Sequence, residues 1–155
     1  MGYRKLKLQK GFTLIEVMVT VVIAGILLSV AYPSYQGYLM AGRRDNVQVA
    51  LLGFATTMVR FKSDNNTYVG ADVSGTSKAP LTTVYPSQTP IDSNTKYYDL
   101  TIEAAAAGSY TLRATPISGT TQDGDGYMEI TSTGIKRWDK DNNGSIGSSE
   151  TTWND

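Results

Sequence analysis

The sequence contains no cysteine and no histidine among its 155 residues. Without cysteine there can be no disulfide, zinc–thiolate site, iron–sulfur cluster or cysteine nucleophile. Without histidine there can be no Ser-His-Asp triad, histidine metal site or histidine general base. The composition, 41% hydrophobic and 18% charged, still provides enough apolar surface for a folded core. These observations favour a folded protein that is not an enzyme.

The charges are distributed unevenly along the chain although they cancel overall. Residues 1–11 carry four basic residues and no acid, a charge of +4. The remaining 144 residues hold 10 bases and 14 acids, a charge of −4. A basic start and an acidic body on either side of an apolar run indicate a membrane-oriented protein. Because the body has no dense basic patch, DNA binding is only weakly supported.

The apolar run from Phe12 to Tyr32 is 21 residues long and holds a single charge, Glu16. As a helix it spans roughly 30 Å, about one hydrocarbon thickness. The basic residues precede it, so residues 1–11 are expected to be cytoplasmic and the rest to face outward.

Two ordinary interpretations explain the run incompletely. A secretory signal peptide has an apolar core of about 7–15 residues, shorter than this run. A plain membrane anchor accounts for the length but not for Glu16, since a carboxylate within a membrane costs about 2.5–3.5 kcal/mol and usually has a partner.

The segment KGFTLIEVMVTVVIAGILLSVAYPSYQGY, from Lys10 to Tyr38, resembles the class III signal and N-terminal helix of type IV pilins. The resemblance is close over this segment and fades after about Tyr68. It implies that prepilin peptidase cuts after Gly11, removing residues 1–11 as a leader, and methylates the new N-terminus at Phe12. It also implies that Glu16 is the residue that directs assembly.

The chemistry of Glu16 is consistent with that role. After cleavage Phe12 carries an α-ammonium group that a carboxylate can neutralise. In a nearly dry filament core, a misregistered subunit would leave the charge of Glu16 unpaired, at a cost of several kcal/mol. The hypothesis is that Glu16 sets the register between neighbouring subunits.

One helix is expected over residues 12–62, with its membrane and filament-core half at 12–38. Pro33 should kink or locally melt it. Its second half is amphipathic and should pack on a sheet. Arg43, Arg44 and Asp45 could pair between subunits, but a solvated face is favoured. The apolar residues of the second half are Val47, Ala50, Leu51, Phe54, Met58 and Phe61.

The remainder is expected to be a helix-to-sheet loop at 63–96 and a sheet at 97–138. The loop is rich in Gly, Pro, Ser, Thr, Asn and Asp. Alternating apolar residues and short turns predict an antiparallel meander. The fold class is therefore α+β, a long helix packed on a three- to four-stranded sheet, as in the type IV pilin fold. The predicted strands are Tyr97–Glu103, Ser109–Thr115, Tyr127–Thr131 and Ile135–Trp138.

The segment DKDNNGSIGSSE, Asp139–Glu150, fits the twelve-residue calcium-loop template within a C-terminal region at 139–155. Glu150 occupies the bidentate position, and Gly144 occupies the position where the backbone turns sharply. The all-oxygen donor set favours calcium. The predicted ligands are Asp139, Asp141, Asn143, Ser145 (through its carbonyl) and Glu150.

Two alternatives concern the acidic residues. The loop can instead be an Asp/Asn/Gly turn whose side chains cap its own backbone. Asp123 and Asp125 are expected to form a hairpin turn, although they could approach the same ion or another. Most type IV pilins staple their C-terminal region with a disulfide, which this chain lacks, and a calcium ion closing the loop would constrain the same region.

The resemblance implies a pilus subunit that is inserted in the inner membrane with a cytoplasmic N-terminus and then assembled into an extracellular filament. The implied partners are other pilins, prepilin peptidase and the assembly platform. Adhesion, motility or DNA uptake is the implied outcome. The alternative in the same superfamily is a type II secretion pseudopilin. A membrane-anchored hydrolase and a calcium-dependent adhesin are rivals from other classes.

Overall fold

The computed structural model describes residues 11–73 and 78–154. The predicted leader, apart from Gly11, lies outside the described residues. Within the described residues, one helix precedes five strands, and the chain divides into two compact units after Tyr38. The elements are α1 Leu14–Asn65, β1 Gln88–Thr89, β2 Tyr98–Ala105, β3 Tyr110–Pro116, β4 Met128–Thr131 and β5 Lys136–Trp138.

In the first unit, the described side chains are almost all exposed, although most of them are apolar. Phe12 is 86% exposed and Val30 is 70% exposed. By length and composition, α1 is suited to crossing a membrane. A helix that is apolar all round needs a membrane or packed partners to cover it. This apolar surface agrees with the predicted membrane and filament-core half.

The helix continues through Pro33 without interruption, so local melting, one of the two expected effects, is wrong, whereas the kink stays a prediction. Proline removes one backbone donor, but the hydrogen bonds on both sides of it can persist. The hydroxyl groups of Ser29 and Ser34 also donate to the backbone, to Ile26 O at 2.7 Å and Val30 O at 3.3 Å. The helix starts two residues later and ends three residues later than the expected 12–62.

In the second unit, one face of α1 packs on the sheet. Val47, Leu51, Phe54 and Met58 are buried and recur at spacings of three and four residues. This spacing places them on one side of the helix. The predicted docking stripe is therefore confirmed.

The sheet is an antiparallel meander with the strand order β1-β2-β3-β4-β5. Its buried face follows the predicted alternation, because side chains two apart share one face of a strand. Ile102, Leu112 and Ile130 lie opposite one another across three strands and belong to the core. The α+β fold is confirmed.

The sheet has five strands, one more than the upper prediction. Gln88 and Thr89 lie in the predicted loop 63–96, yet they pair with Asp99 and Tyr98. A two-residue strand has no readable alternation. The strand β1 is recognised only by its pairing with β2, so the sequence pattern could not predict it.

Candidate metal loop and assembly segment

The loop after β5 brings together three of the predicted metal ligands. One carboxylate oxygen each from Asp139, Asp141 and Glu150 lies within 4.8 Å of the others. Two oxygens bound to one calcium ion at about 2.3–2.6 Å can be at most about 5 Å apart. Asp139 is fully buried, Asp141 is exposed and Glu150 is half-buried. Their spacing therefore fits a single calcium ion.

Asn143 lies beside these carboxylates and Ser145 lies next to Asn143. The Asn143 amide group donates to Asp141 Oδ2 at 2.7 Å, and its Oδ1 accepts the backbone N–H of Ser145 at 2.8 Å. Asn143 lines the same surface pocket as Asp141 and Glu150. The predicted use of the Ser145 carbonyl stays a prediction.

The loop also has the features of the alternative interpretation, a turn whose side chains cap its own backbone. Asp139 accepts the backbone N–H groups of Asn143 and Gly144, both at 3.0 Å. Gly144 has a φ of +82°, a left-handed conformation that glycine adopts without strain. An ionised carboxylate offers about four lone-pair sites, so these bonds leave Asp139 able to bind an ion as well.

Three carboxylates held this close repel one another, and a divalent cation would relieve that repulsion. Their donors are all hard oxygen atoms, the ligand class that calcium prefers. The residues present therefore fit the ion that the sequence pattern predicts.

Asp125 is the centre of a buried polar cluster that the sequence did not reveal. Tyr98 and Gln122 donate to its Oδ2 at 2.5 and 2.7 Å, and Arg44 Nε lies 3.0 Å from its Oδ1. The Trp138 indole N–H donates to the Asp125 backbone carbonyl at 2.9 Å. We call these five residues the aspartate cluster. Burial, followed by the bond to Asp125, raises the pKa of the Tyr98 hydroxyl.

Asp123 and Asp125, the second acidic pair, lie in the connection between β3 and β4, where a turn was predicted. Asp125 is committed to the aspartate cluster, and Asp123 accepts the backbone N–H of Gly119 at 2.9 Å. That bond, with one from Ser118, lowers the pKa of Asp123. Within the described residues, the carboxylate group suited to a metal includes neither of them.

The expectation of a solvated face at Arg43 and Arg44 is wrong. The guanidinium of Arg44 lies over the Trp138 ring at 4.5 Å and pairs with Asp125. That of Arg43 lies over the Tyr97 ring at 4.0 Å and donates to Thr121. Both arginines lie on the side of α1 that faces the sheet, where they contact aromatic rings and, for Arg44, a buried acid. Asp45, in contrast, is exposed.

The predicted processing site lies just before α1. Gly11 and Phe12 are exposed and non-helical. Thr13 and Glu16 form a capping box: the Thr13 N–H donates to Glu16 Oε2 at 3.2 Å, and the Glu16 N–H donates to Thr13 Oγ1 at 3.3 Å. This capping role was not predicted from the sequence, although the spacing Thr-x-x-Glu is its signature.

Two family models match the chain. The model of the prokaryotic N-terminal methylation motif matches residues 6–32, a range that includes Gly11, Phe12 and Glu16. The model described as "Type IV minor pilin ComP, DNA uptake sequence receptor" matches residues 33–126.

The chain is similar to curated relatives over part of its length. It is 39% identical over 70 residues to the type IV major alpha-pilin of Moraxella bovis, covering 45% of this chain and 44% of the relative. It is 36% identical over 67 residues to the type II secretion system core protein G of Pectobacterium carotovorum subsp. carotovorum, covering 43% and 40%. The chain therefore spans less than half the length of each of these relatives.

The fold has a solved counterpart. The non-core minor pilin PilV of Neisseria meningitidis superposes with a TM-score of 0.51 and 19% identity, covering 76% of this chain and 98% of that one. This similarity supports the fold alone. Since the second family model covers more than half of the 155 residues, the chain belongs to the type IV pilin family described as "Type IV minor pilin ComP, DNA uptake sequence receptor".

Proposed function

We propose that the chain, cut after Gly11, is a structural subunit of a type IV pilus that leaves the inner membrane and enters an extracellular filament. The observation that carries this proposal is the apolar surface of α1 before Tyr38, which is exposed in the single chain. Such a surface is stable in a membrane or against other helices. The family and fold are structural rather than catalytic, and a filament subunit needs no catalytic group.

The assembly partners follow from the same proposal. Other pilin subunits would cover the apolar half of the helix, prepilin peptidase would cut the exposed peptide between Gly11 and Phe12, and an assembly platform would extract the subunit from the membrane. In this scheme Glu16 sets the register between subunits.

A type II secretion pseudopilin is the second candidate, favoured by the similarity to a type II secretion core protein. Both candidates predict the same helix and the same processing. They differ in the filament, since a pilus is a long surface fibre and a pseudopilus is a short periplasmic one.

Electron microscopy of cells with and without the gene tests the proposal. We expect surface fibres that contain the chain, with a mature N-terminus at methylated Phe12 by mass spectrometry. Fibres lacking the chain, or fibres in which the chain still begins at Met1, would contradict the proposal. The presence of the chain in short periplasmic fibres alone would support the pseudopilin.

DNA uptake is the outcome that the family description favours, whereas adhesion and motility have no such support. The charge of the mature chain, −4, weighs against strong phosphate binding by this subunit. DNA uptake is therefore proposed for the assembled filament, and direct DNA binding by this chain is only weakly supported.

We also propose that the loop Asp139–Glu150 binds calcium and stabilises the C-terminal region. The support is the convergence of three carboxylates on one point and the matching loop template. Outside the cell, a loop of this kind suits the weak affinity range of about 10⁻⁴–10⁻³ M. An ion that binds only the folded state stabilises it by mass action.

Calcium removal should lower the melting temperature of the full chain in detergent micelles. At 10 mM calcium, an affinity in this range corresponds to a stabilisation of roughly 1.4–2.7 kcal/mol. EDTA should remove this stabilisation and added calcium should restore it. The melting temperature is measured by circular dichroism.

Two variants make this test specific. Asp141→Ala removes an exposed ligand and should abolish the calcium response, whereas Asp92→Ala removes an exposed acid elsewhere and should keep it. An unchanged melting temperature for the original chain under both treatments would refute the calcium proposal.

A further inference from the structure

Trp138 joins the two ends of the metal loop. Trp138 immediately precedes Asp139, the first predicted ligand. Its backbone N–H donates to the backbone carbonyl of Glu150, the last predicted ligand, at 3.1 Å. The N–H of Asp139 donates to the Tyr127 carbonyl at 3.0 Å. The first and last ligands are thus held at one point at the end of β5.

The same tryptophan is fixed by the aspartate cluster. Its indole N–H donates to the Asp125 carbonyl, and the Arg44 guanidinium covers its ring. The side chain of Asp125 is in turn held by Tyr98, Gln122 and Arg44. A continuous set of short contacts therefore runs from α1 and β2 to the closing point of the loop.

The backbone adds a second connection between the cluster and the loop. Gly126, next to Asp125, lies so close to Asp139 that an added Cβ would be 1.7 Å from the Asp139 carbonyl oxygen. A shift of the Asp125 segment would therefore move the first ligand directly. Two contacts, one through Trp138 and one through Gly126, therefore connect the cluster to the loop.

We propose that Tyr98 and Arg44 are positioning residues for the metal loop, acting through Asp125 and Trp138. Loss of either contact weakens calcium binding, and calcium binding in return stabilises the junction of α1 with β2. The two effects are equal in free energy because coupling between binding equilibria is reciprocal. This inference rests on the calcium proposal and adds the residues that set the affinity.

The test compares two matched pairs of variants in the full chain in detergent micelles. Tyr98→Phe removes the hydroxyl bonded to Asp125, and Tyr110→Phe removes a hydroxyl bonded to the Ala55 carbonyl, outside the aspartate cluster. Arg44→Lys replaces the guanidinium group that lies over the Trp138 ring. Its control, Arg43→Lys, replaces the guanidinium group that lies over the Tyr97 ring. Calcium affinity is measured by titration calorimetry.

We expect Tyr98→Phe and Arg44→Lys each to weaken calcium binding at least about fivefold, the low end of typical coupling between sites. Tyr110→Phe and Arg43→Lys should change it less than twofold. The Trp138 indole N–H resonance should move on calcium addition to the original chain and move less in Tyr98→Phe. A merely structural loss of stability would change neither the affinity of the folded fraction nor this resonance.

The outcomes separate this inference from the calcium proposal. If the original chain binds no calcium, both fail. If it binds calcium and the cluster variants bind as tightly as their controls, the coupling is wrong and the calcium proposal stands. If one cluster variant fails to fold, the other pair still decides the result.

Discussion

Replacing Gly126 by alanine should remove most of the stability of the second unit. Gly126 has a φ of +75°, and its added Cβ would lie 1.7 Å from the carbonyl oxygen of Asp139 and 2.9 Å from the carbonyl carbon. The two nearest atoms both belong to the backbone of Asp139, so no flexible side chain can move aside to relieve the clash. We expect a loss of about 4 kcal/mol or more, in the range of exceptional single substitutions. Thermal unfolding of the full chain in micelles measures it.

Gly124→Ala is the matched control, because Gly124 has a φ of +83° in the same connection but no atom within 4 Å of the added Cβ. Only the left-handed conformation is strained there, at about 1–2 kcal/mol. The difference between the two variants isolates the contact with Asp139. Equal losses would show that the Gly126 segment can shift away from the loop, and the close approach would then not restrain it.

Replacing Glu16 by alanine should abolish filament formation in cells. Glu16 is the single charge between Phe12 and Tyr32, and the other residues of this stretch are mostly apolar and exposed. If it pairs with the N-terminus of a neighbouring subunit in a dry core, its loss leaves that ammonium group unpaired at about 3–5 kcal/mol per subunit. Counting surface fibres by electron microscopy at equal protein level gives the result.

The capping box requires a more discriminating control for this variant. Glu16 also accepts hydrogen bonds from the backbone and hydroxyl of Thr13. Glu16→Gln keeps an oxygen in place to accept those bonds but removes the charge. Charge pairing predicts that both variants fail to assemble. Normal fibres from Glu16→Gln would show that capping, rather than charge, is the contribution of Glu16, and the register hypothesis would be wrong.

Local patterns predicted the fold well because their periods report burial directly. The spacing of Val47, Leu51, Phe54 and Met58 marked one helix face, and the alternation in β2 and β3 marked the inner face of the sheet. The pattern failed for β1 and at Arg44. The two residues of β1 are too few to show a period. The sequence around Arg44 does not indicate that this arginine will contact an aromatic ring and a buried acid.

The candidate site divides in the same way. The predicted loop ligands lie within twelve consecutive residues, so their order and spacing could be read directly, and Asp139, Asp141 and Glu150 do converge. Apart from Gln122, the partners of Asp125 are distant along the chain: Tyr98 is 27 residues away and Trp138 is 13. No spacing rule connects them, and the segment Asp123–Gly126 reads only as a turn.

The sequence by itself determined the membrane-length helix, the processing motif, the inner faces of the long strands and the spacing of the candidate metal loop. Each depends on residues a few positions apart, whose geometry the helix, strand or turn dictates. The tertiary structure alone decided that β1 joins the sheet, that Asp125 is a buried structural acid, and that Gly126 touches Asp139. These depend on segments brought together by packing, because a contact between distant residues exists only once the helix and sheet have formed a common core.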